Sequence, residues 1–520
     1  MISAARRTVV AWRTSDAFTS SARRPSTILV IAALALAAAY SYAIVDRGGD
    51  VLIVVPVVAA VVVVAVAAHP IVGLYLFFAG AILFEQFSVD QLLPITALAR
   101  FFQNISAFTP LPIRLSPADL LALLTFASWW VRVMSGRVPK PRLGPFGWAV
   151  AGFGLMFVAG AVFGVARGDE FNSDAALAEL RAPMHLCVAY FLAANLVRRR
   201  QHLEVLLWAF VVLVGIKAFQ GILTYLQAVD VSYDDLQAVT GHEDVVFFGT
   251  AVSLAVALVA LGVRTRFSFA VLAIQPLILL TLVLTERRVG FIGLGLDLVI
   301  VTILTFAVDR RRALVLATVL LVAAGAYVVA FWDASGAIAE PVRAVKSIVD
   351  PSSVSVRDML SNAFREIENR NIARTVRVFP LTGVGVGQQY LIIEVPQWLN
   401  FGYWRYMTHN GLLWIWLKAG PLGAFMFWFL VARAVLLGSS WFGRLRDDRL
   451  QWVPALPVIL IAAQVIFAAV ELGIINSRTM IVMGAMCGFG PYLGELAASR
   501  QEPRPQAQGQ RRDGEGPSRS

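Results

Sequence analysis

Residues 267–312 read FSFAVLAIQPLILLTLVLTERRVGFIGLGLDLVIVTILTFAVDRRR, and the fold class follows from this stretch. Two apolar runs, 267–285 and 289–308, are separated only by the polar turn around Glu286, Arg287 and Arg288, and the second stops at Arg310, Arg311 and Arg312. Each run has close to the roughly twenty apolar residues that a helix needs to cross a bilayer core of about 30 Å. The polar breaks are too short to be domains, so the chain turns back at once through the same apolar layer.

The pattern repeats outward in both directions. Upstream, spans are expected at 27–45, 51–68, 70–86, 117–134, 146–165, 183–198, 203–226 and 244–263; downstream, at 312–331, 411–436, 452–472 and 474–494. Composition agrees: of 520 residues, 58% are hydrophobic and 15% charged, and the mean hydropathy is +0.72. Soluble domains carry about a quarter charged residues. Short alternating segments, the mark of a membrane β-barrel, are not seen. The expected fold is all-α, a polytopic transmembrane bundle of about 12–14 helices with a large, partly helical extracytoplasmic loop. Its parts are a cytoplasmic N-terminal tail (1–26), a transmembrane bundle (27–331), the large loop (332–410), C-terminal transmembrane helices (411–495) and a disordered cytoplasmic tail (496–520).

Orientation follows from Lys and Arg placement. Basic clusters precede the first span and recur at Arg132 to Arg142, Arg198 to Arg200, Arg264 and Arg266, Arg310 to Arg312, and Arg444 to Arg449. With about fourteen spans all of them fall on one side, which puts both termini in the cytoplasm. The net charge of +11 is therefore dispersed among cytoplasmic loops, and no nucleic-acid footprint is expected. The first 26 residues are polar and Arg-rich, and the run after them is long enough to span, so it reads as a first helix and not a cleaved signal. Cys187 and Cys487 lie inside apolar runs and fit buried thiols better than a disulfide or metal site. In the large loop, Leu360, Phe364 and Ile367 fall at helical spacing.

A few cations break the rule by sitting at the opposite side. Arg287 and Arg288 stand between two spans, Arg181 with His185 near the start of another, and Arg478 near the start of the last. Such placements are costly and need a reason. An anionic ligand held by guanidinium forks is one reason; snorkelling or pairing, as of Arg287 with Glu286, is the other. Lys217, deep in 203–226, either lines a polar cavity or pairs with a carboxylate. His409 ends the large loop beside Asn410 and is either structural or a general base. Upstream, Pro380 to Gly387 reads PLTGVGVG; Gly383 and Gly385 allow sharp turns or close approach to a ligand. This is neither a dinucleotide fingerprint nor a phosphate loop with a lysine, so no ATP use is indicated.

The order of these features resembles the O-antigen ligase and O-antigen polymerase superfamily. A span ending in Thr285 to Arg288 is followed by two spans, then by a long loop carrying Arg357, a helix, the glycine motif and His409-Asn410, and then by a helix with Lys418 to Gly423. The resemblance covers about 280–425 and implies a metal- and ATP-independent, cofactor-free membrane glycosyltransferase in the bacterial inner membrane. Its donor would be a glycan on undecaprenyl diphosphate and its acceptor a lipid or another glycan, met at the outer face. By motif, His409 and Arg288 would be catalytic, and Arg181, Arg287 and Arg288 would hold the diphosphate. Arg357, Gly383, Gly385, Asn410 and Lys217 are further candidates. The chain departs from the family in having Arg287-Arg288-Val289 where Ser-Arg-Gly is common, and in its higher span count. Polymerase and ligase both remain open, and so does a lipid-linked oligosaccharide flippase, which would need a site near the midplane.

Overall fold

The computed structural model describes residues 55–86, 96, 100–168, 171–227, 239–334, 336–349, 356–395, 402–446 and 448–500. The expected first span at 27–45, most of the acidic stretch 227–244 and the tail beyond Arg500 lie outside the described residues. Contacts divide the chain into Met1–Val64 and Ala65–Ser520. Of the first unit only residues 55–64, the start of helix α1 (Val55–Ala68), are described.

Every regular element among the described residues is helical. After α1 come α2 (Pro70–Leu83), α3 (Pro117–Met134), α4 (Gly147–Ala166), α5 (Ser173–Leu196), α6 (Arg200–Gln227), α7 (Asp244–Ala260), α8 (Arg266–Ala273), α9 (Gln275–Leu284), α10 (Arg288–Val308) and α11 (Arg310–Ala330). The large loop holds α12 (Glu340–Val349) and α13 (Val356–Val378), and α14 (Gly411–Arg444), α15 (Ala455–Val470), α16 (Ser477–Cys487) and α17 (Gly490–Ser499) close the chain. Seven stretches are long and apolar enough to cross a membrane, and four shorter apolar helices accompany them among the described residues. The chain is a polytopic helical membrane protein.

Local sequence sets the helix ends. Ser116 and Asp119 form a reciprocal capping box at α3, with Pro117 in the first turn, where its missing N–H costs nothing. Asn172, Asn410 and Asn476 cap α5, α14 and α16 through their side-chain oxygens. α5 begins ten residues before the expected 183–198 span, because Pro183 sits inside the helix and does not start it. Membrane helices tolerate this when neighbouring packing compensates for the lost backbone bond. The run 267–285 is one span broken at Ile274, two residues before Pro276.

Burial ranks the helices. Ser477–Ser499 is 78% buried over its most apolar window, whereas Arg310–Ala330 is 6% buried. The last span is therefore the hub, and α11 presents Leu314, Val315, Val319 and Leu321 outward, an arrangement suited to lipid. Small residues let α16 lie directly on α5: a Cβ at Gly484 would come within 2.4 Å of the Leu186 carbonyl oxygen.

The second break, in α14, organises the large loop. Gly420 has φ +68° and precedes Pro421, so α14 bends there. The glycine loop 383–388 packs beside this bend. Val384 N–H donates to Leu417 O (2.8 Å) and Val386 N–H to Gly160 O (3.0 Å). A Cβ at Gly164 would fall 1.9 Å from Val386 O. Gly383, Gly385 and Gly387 all have positive φ, so the loop runs backbone-to-backbone along α4. Below it, the buried Lys418 ammonium pairs with Glu179 (2.8 Å) and donates to Gln388 O (2.6 Å), while Gly387 N–H donates to Glu179 (2.6 Å).

Candidate active site

Helix α13 carries the first part of the site. Its buried face is Glu368, Asn371, Ile372 and Thr375, whereas Leu360 is exposed. The helix expected from Leu360, Phe364 and Ile367 is present, but its inward face is polar. Asn371 Oδ1 accepts the N–H groups of Ile393 (3.0 Å) and Glu394 (3.2 Å), and Thr375 Oγ1 accepts that of Leu391 (2.9 Å). α13 thereby holds the segment that follows the glycine loop.

Glu368 faces His409. One of its carboxylate oxygens accepts the His409 backbone N–H at 2.8 Å, and the carboxylate lies 3.4 Å from Nδ1 of the ring. The ring of Phe364 meets the imidazole edge-on at 5.2 Å. With Nδ1 turned to Glu368, Nε2 is the nitrogen left for an external proton. The Glu368 side chain is 1% exposed and that of His409 26%, so the pair is a buried acceptor behind a reachable ring.

A second group adjoins the first. Arg365, one turn before Glu368 on α13, pairs with Glu471 at 2.9 Å, just beyond the end of α15. The Glu471 carboxylate also feels the charge of Arg287. Arg287 donates to Nε2 of His242. Because a guanidinium only donates, Nε2 is the acceptor and the ring proton sits on Nδ1. Surrounding protein and the Arg287 charge push the His242 imidazole down to about 4, although the residue as a whole is exposed. Glu286, just before Arg287, has φ +52°, an uncommon conformation for a residue with a Cβ, and it makes the tight turn into α10. The start of α10, the residues before α7, the end of α15, the start of α14 and the middle of α13 thus meet in one charged cluster.

The other expected residues fall as follows. Arg288 is the first residue of α10, beside Arg287, and is partly exposed. Asn410 caps α14 through Leu413 N–H (3.0 Å). Gly383 and Gly385 approach α14 and α4 backbone closely, as described above. Arg181 lies two turns inside α5, bound to Asp119 (3.0 Å) and Asn104 (2.6 Å), and His185 shares that Asp119 at 2.8 Å. Lys217 is buried, bonded to Glu85 and 3.8 Å from Asp244. The paired reading of Lys217 is thus the one realised. Arg478 is wholly buried, clamped by Glu243 and Asp244 (2.6 Å each) and by the carbonyls of Ala81 and Ile82. Arg357 lies on α13, and its side chain is outside the described residues. Cys187 and Cys487 are free. Among the described residues no three His, Cys, Asp or Glu side chains gather as metal ligands.

The cluster combines an imidazole with a free nitrogen, a buried carboxylate behind it, and guanidinium groups beside it. Such a set can take a proton from a hydroxyl and stabilise an anionic group. Residues 270–428 match the family model described as O-Antigen ligase. The match supports the O-antigen ligase and polymerase superfamily and a glycosyltransferase-like activity. It runs from α8 into α14 and takes in Arg287, Arg288, Arg365, Glu368, the glycine loop and His409. His242 and Glu471 lie outside it. No curated protein matches the chain.

The sequence reading missed Glu368, Arg365, His242 and Glu471. Arg365 directly follows Phe364 and Glu368 directly follows Ile367 on the same helix, so asking which polar residues share that helix with the apolar ones would have raised them. His242 and Glu471 reach the site only through tertiary packing.

Proposed function

We propose that the protein is an O-antigen ligase-like membrane glycosyltransferase. It transfers a glycan from an undecaprenyl-diphosphate carrier to a lipid or glycan acceptor at the outer face of the bacterial inner membrane, by inversion and without metal or ATP. The observation that carries this reading is His409 held against the buried Glu368 carboxylate (2.8 Å from its N–H, 3.4 Å from Nδ1), on the same helix as the Arg365–Glu471 pair (2.9 Å).

Nε2 of His409 takes the acceptor proton as the acceptor oxygen bonds to the anomeric carbon. The bond from that carbon to the diphosphate oxygen breaks in the same step. Glu368 steadies the imidazolium that forms. Arg287, with Arg288 next to it in the chain, holds the charge growing on the departing diphosphate. Positive-inside counting places this end outside the cytoplasm.

The test is transfer in proteoliposomes from undecaprenyl-diphosphate-linked oligosaccharide to candidate acceptors. Arg287→Ala and Arg288→Ala are expected to lower the rate about 100- to 1000-fold, and His409→Ala about 100- to 10,000-fold. Product length separates a single transfer from polymerisation. Wild-type activity in His409→Ala would remove the mechanism, and movement of the lipid-linked glycan across the bilayer without transfer would replace the enzyme with a flippase.

A further inference from the structure

Leu381, at the turn that joins α13 to the glycine loop, is 80% exposed. A lone exposed leucine is ordinary on a protein surface, but this one lies within the depth of the membrane spans. Two spans set that depth. α4 has 20 residues, which rise about 30 Å, the thickness of a bilayer core. The glycine loop does not pass over its end. Val386 N–H donates to Gly160 O at 3.0 Å, and Gly160 stands six residues before the last residue of α4, Ala166. That is about 9 Å inside the span. On α14, Val384 N–H donates to Leu417 O at 2.8 Å, and a Cβ at Gly420 would lie 2.6 Å from Leu381 O. Gly420 is nine residues beyond Gly411, the first of α14, or about 13 Å along it.

The backbone of the turn is satisfied as that depth requires, because irregular backbone inside a bilayer must find its hydrogen bonds within the protein. Phe379 N–H donates to Thr375 O (2.9 Å) and Gly383 N–H to Phe379 O (3.0 Å). Pro380 has no N–H to satisfy, and its carbonyl accepts from the Trp416 indole at 3.1 Å. Gly383 O accepts from Arg167 at 2.6 Å, and Gln388 O from Lys418 at 2.6 Å. Residues 383–388 are buried, whereas Pro380 and Leu381 are exposed. The α14 residues beside them, Trp416 and Leu422, are exposed as well, so the apolar surface of the span continues onto the turn.

We infer that the turn at 380–382 is re-entrant: the large loop dips into the outer leaflet beside α4 and α14, and Leu381 meets lipid hydrocarbon there. The bilayer thereby bears on the end of α13, the helix that carries Glu368. The test needs no turnover. The full chain in lipid nanodiscs, with Cys187 and Cys487 replaced by alanine, carries a nitroxide on Leu381→Cys, on Leu422→Cys or on Glu366→Cys. Leu422 is exposed on a span, and Glu366 is exposed on α13. Power-saturation EPR compares collisions with oxygen, which concentrates in lipid, and with a water-soluble nickel chelate. The label at 381 should match that at 422, open to oxygen and with its nickel collisions lost, while the label at 366 collides freely with nickel. Equal nickel collisions at 381 and 366 overturn the inference, because the turn then faces water. In the chain with its own cysteines, Leu381→Asp should melt below Leu381→Ala in nanodiscs, since a carboxylate placed in hydrocarbon loses its hydration. Equal melting of the two also overturns it, as a charge at an exposed aqueous site costs little.

Discussion

Gly385→Ala separates two roles for the glycine motif. Gly385 has φ +93°, where an L side chain costs about 1–2 kcal/mol. A Cβ there would meet Gly164 N at 2.6 Å, Gly160 O at 2.8 Å and Gly164 Cα at 2.9 Å. All three are backbone atoms of α4 and cannot swing aside, so overpacking adds about 1–3 kcal/mol. The expected loss is about 2–5 kcal/mol, large against typical protein stabilities. Gly295→Ala in α10 is the control, because its Cβ meets nothing within 4 Å, and a helical alanine is favoured by up to about 1 kcal/mol. Thermal unfolding of both variants in the same detergent gives the comparison, with donor affinity measured alongside. Gly385→Ala should unfold well below both wild type and Gly295→Ala. If it unfolds with them and loses only donor affinity, the motif cradles a ligand and the backbone-packing account is wrong.

The remaining expectations share this logic. Lys418→Ala leaves Glu179 charged and buried and should destabilise by about 3–5 kcal/mol; Lys418→Met with Glu179→Gln should recover most of it, since Gln still accepts from Gly387 N–H, and a double variant no better than the single refutes the pairing. Arg478→Lys replaces a fork that meets Glu243, Asp244 and two carbonyls with a single ammonium, so it should lower both the melting temperature and the transfer rate, whereas unchanged melting would deny the clamp. Folded His242 resists protonation down to about 4, while the unfolded chain takes the proton near about 6.5. Stability should therefore fall as pH drops through that window and show no contribution above it; His242→Gln should flatten the slope, and equal slopes would exclude the group. Glu368→Ala should slow transfer strongly and Glu368→Gln less, because the amide oxygen still accepts from His409 N–H; equal losses would mean that the charge alone matters.

Much of the fold was legible because a bilayer imposes one length and one polarity on each helix. The expected 117–134 and 289–308 spans match α3 and α10 to within a residue at each end. Pro183 and Pro276 misled in opposite ways, one read as a start where the helix continues and the other passed over where the span breaks. Neighbouring helices decide which outcome a proline has, and a linear reading does not contain them. Of the site, His409 and Arg287 were legible because a histidine at a loop end and an arginine pair between two spans stand out from apolar surroundings. Glu368 and Glu471 were not, because a carboxylate in a polar loop is unremarkable until packing shows what it faces.

The cations on the unexpected side divide once their partners are known. Arg478 binds Glu243 and Asp244, the two residues that follow His242. It ties the start of α7 to the start of α16 and, through the Ala81 and Ile82 carbonyls, to the end of α2. Lys217 adds Glu85 and Asp244 to the same knot. His242 therefore stands on a fixed base, one residue above a buried ion network, and its acceptor nitrogen holds Arg287. Lys418 and Glu179 stand in the same relation to the glycine loop, whose continuation is held by α13, the helix that carries Glu368. Buried ion pairs contribute little net stability, but they penalise any other arrangement, because a charge left alone in that interior is costly. Their use here is to fix orientation: the groups of the charged cluster come from five separate chain segments, and the geometry proposed for transfer requires them to stay within a fraction of an ångström. On this account an intramembrane lysine or arginine far from the chemistry sets the rate by holding the first layer still, and so Arg478→Lys and Lys418→Ala are expected to act on turnover and stability together, whereas Arg287→Ala acts on turnover first.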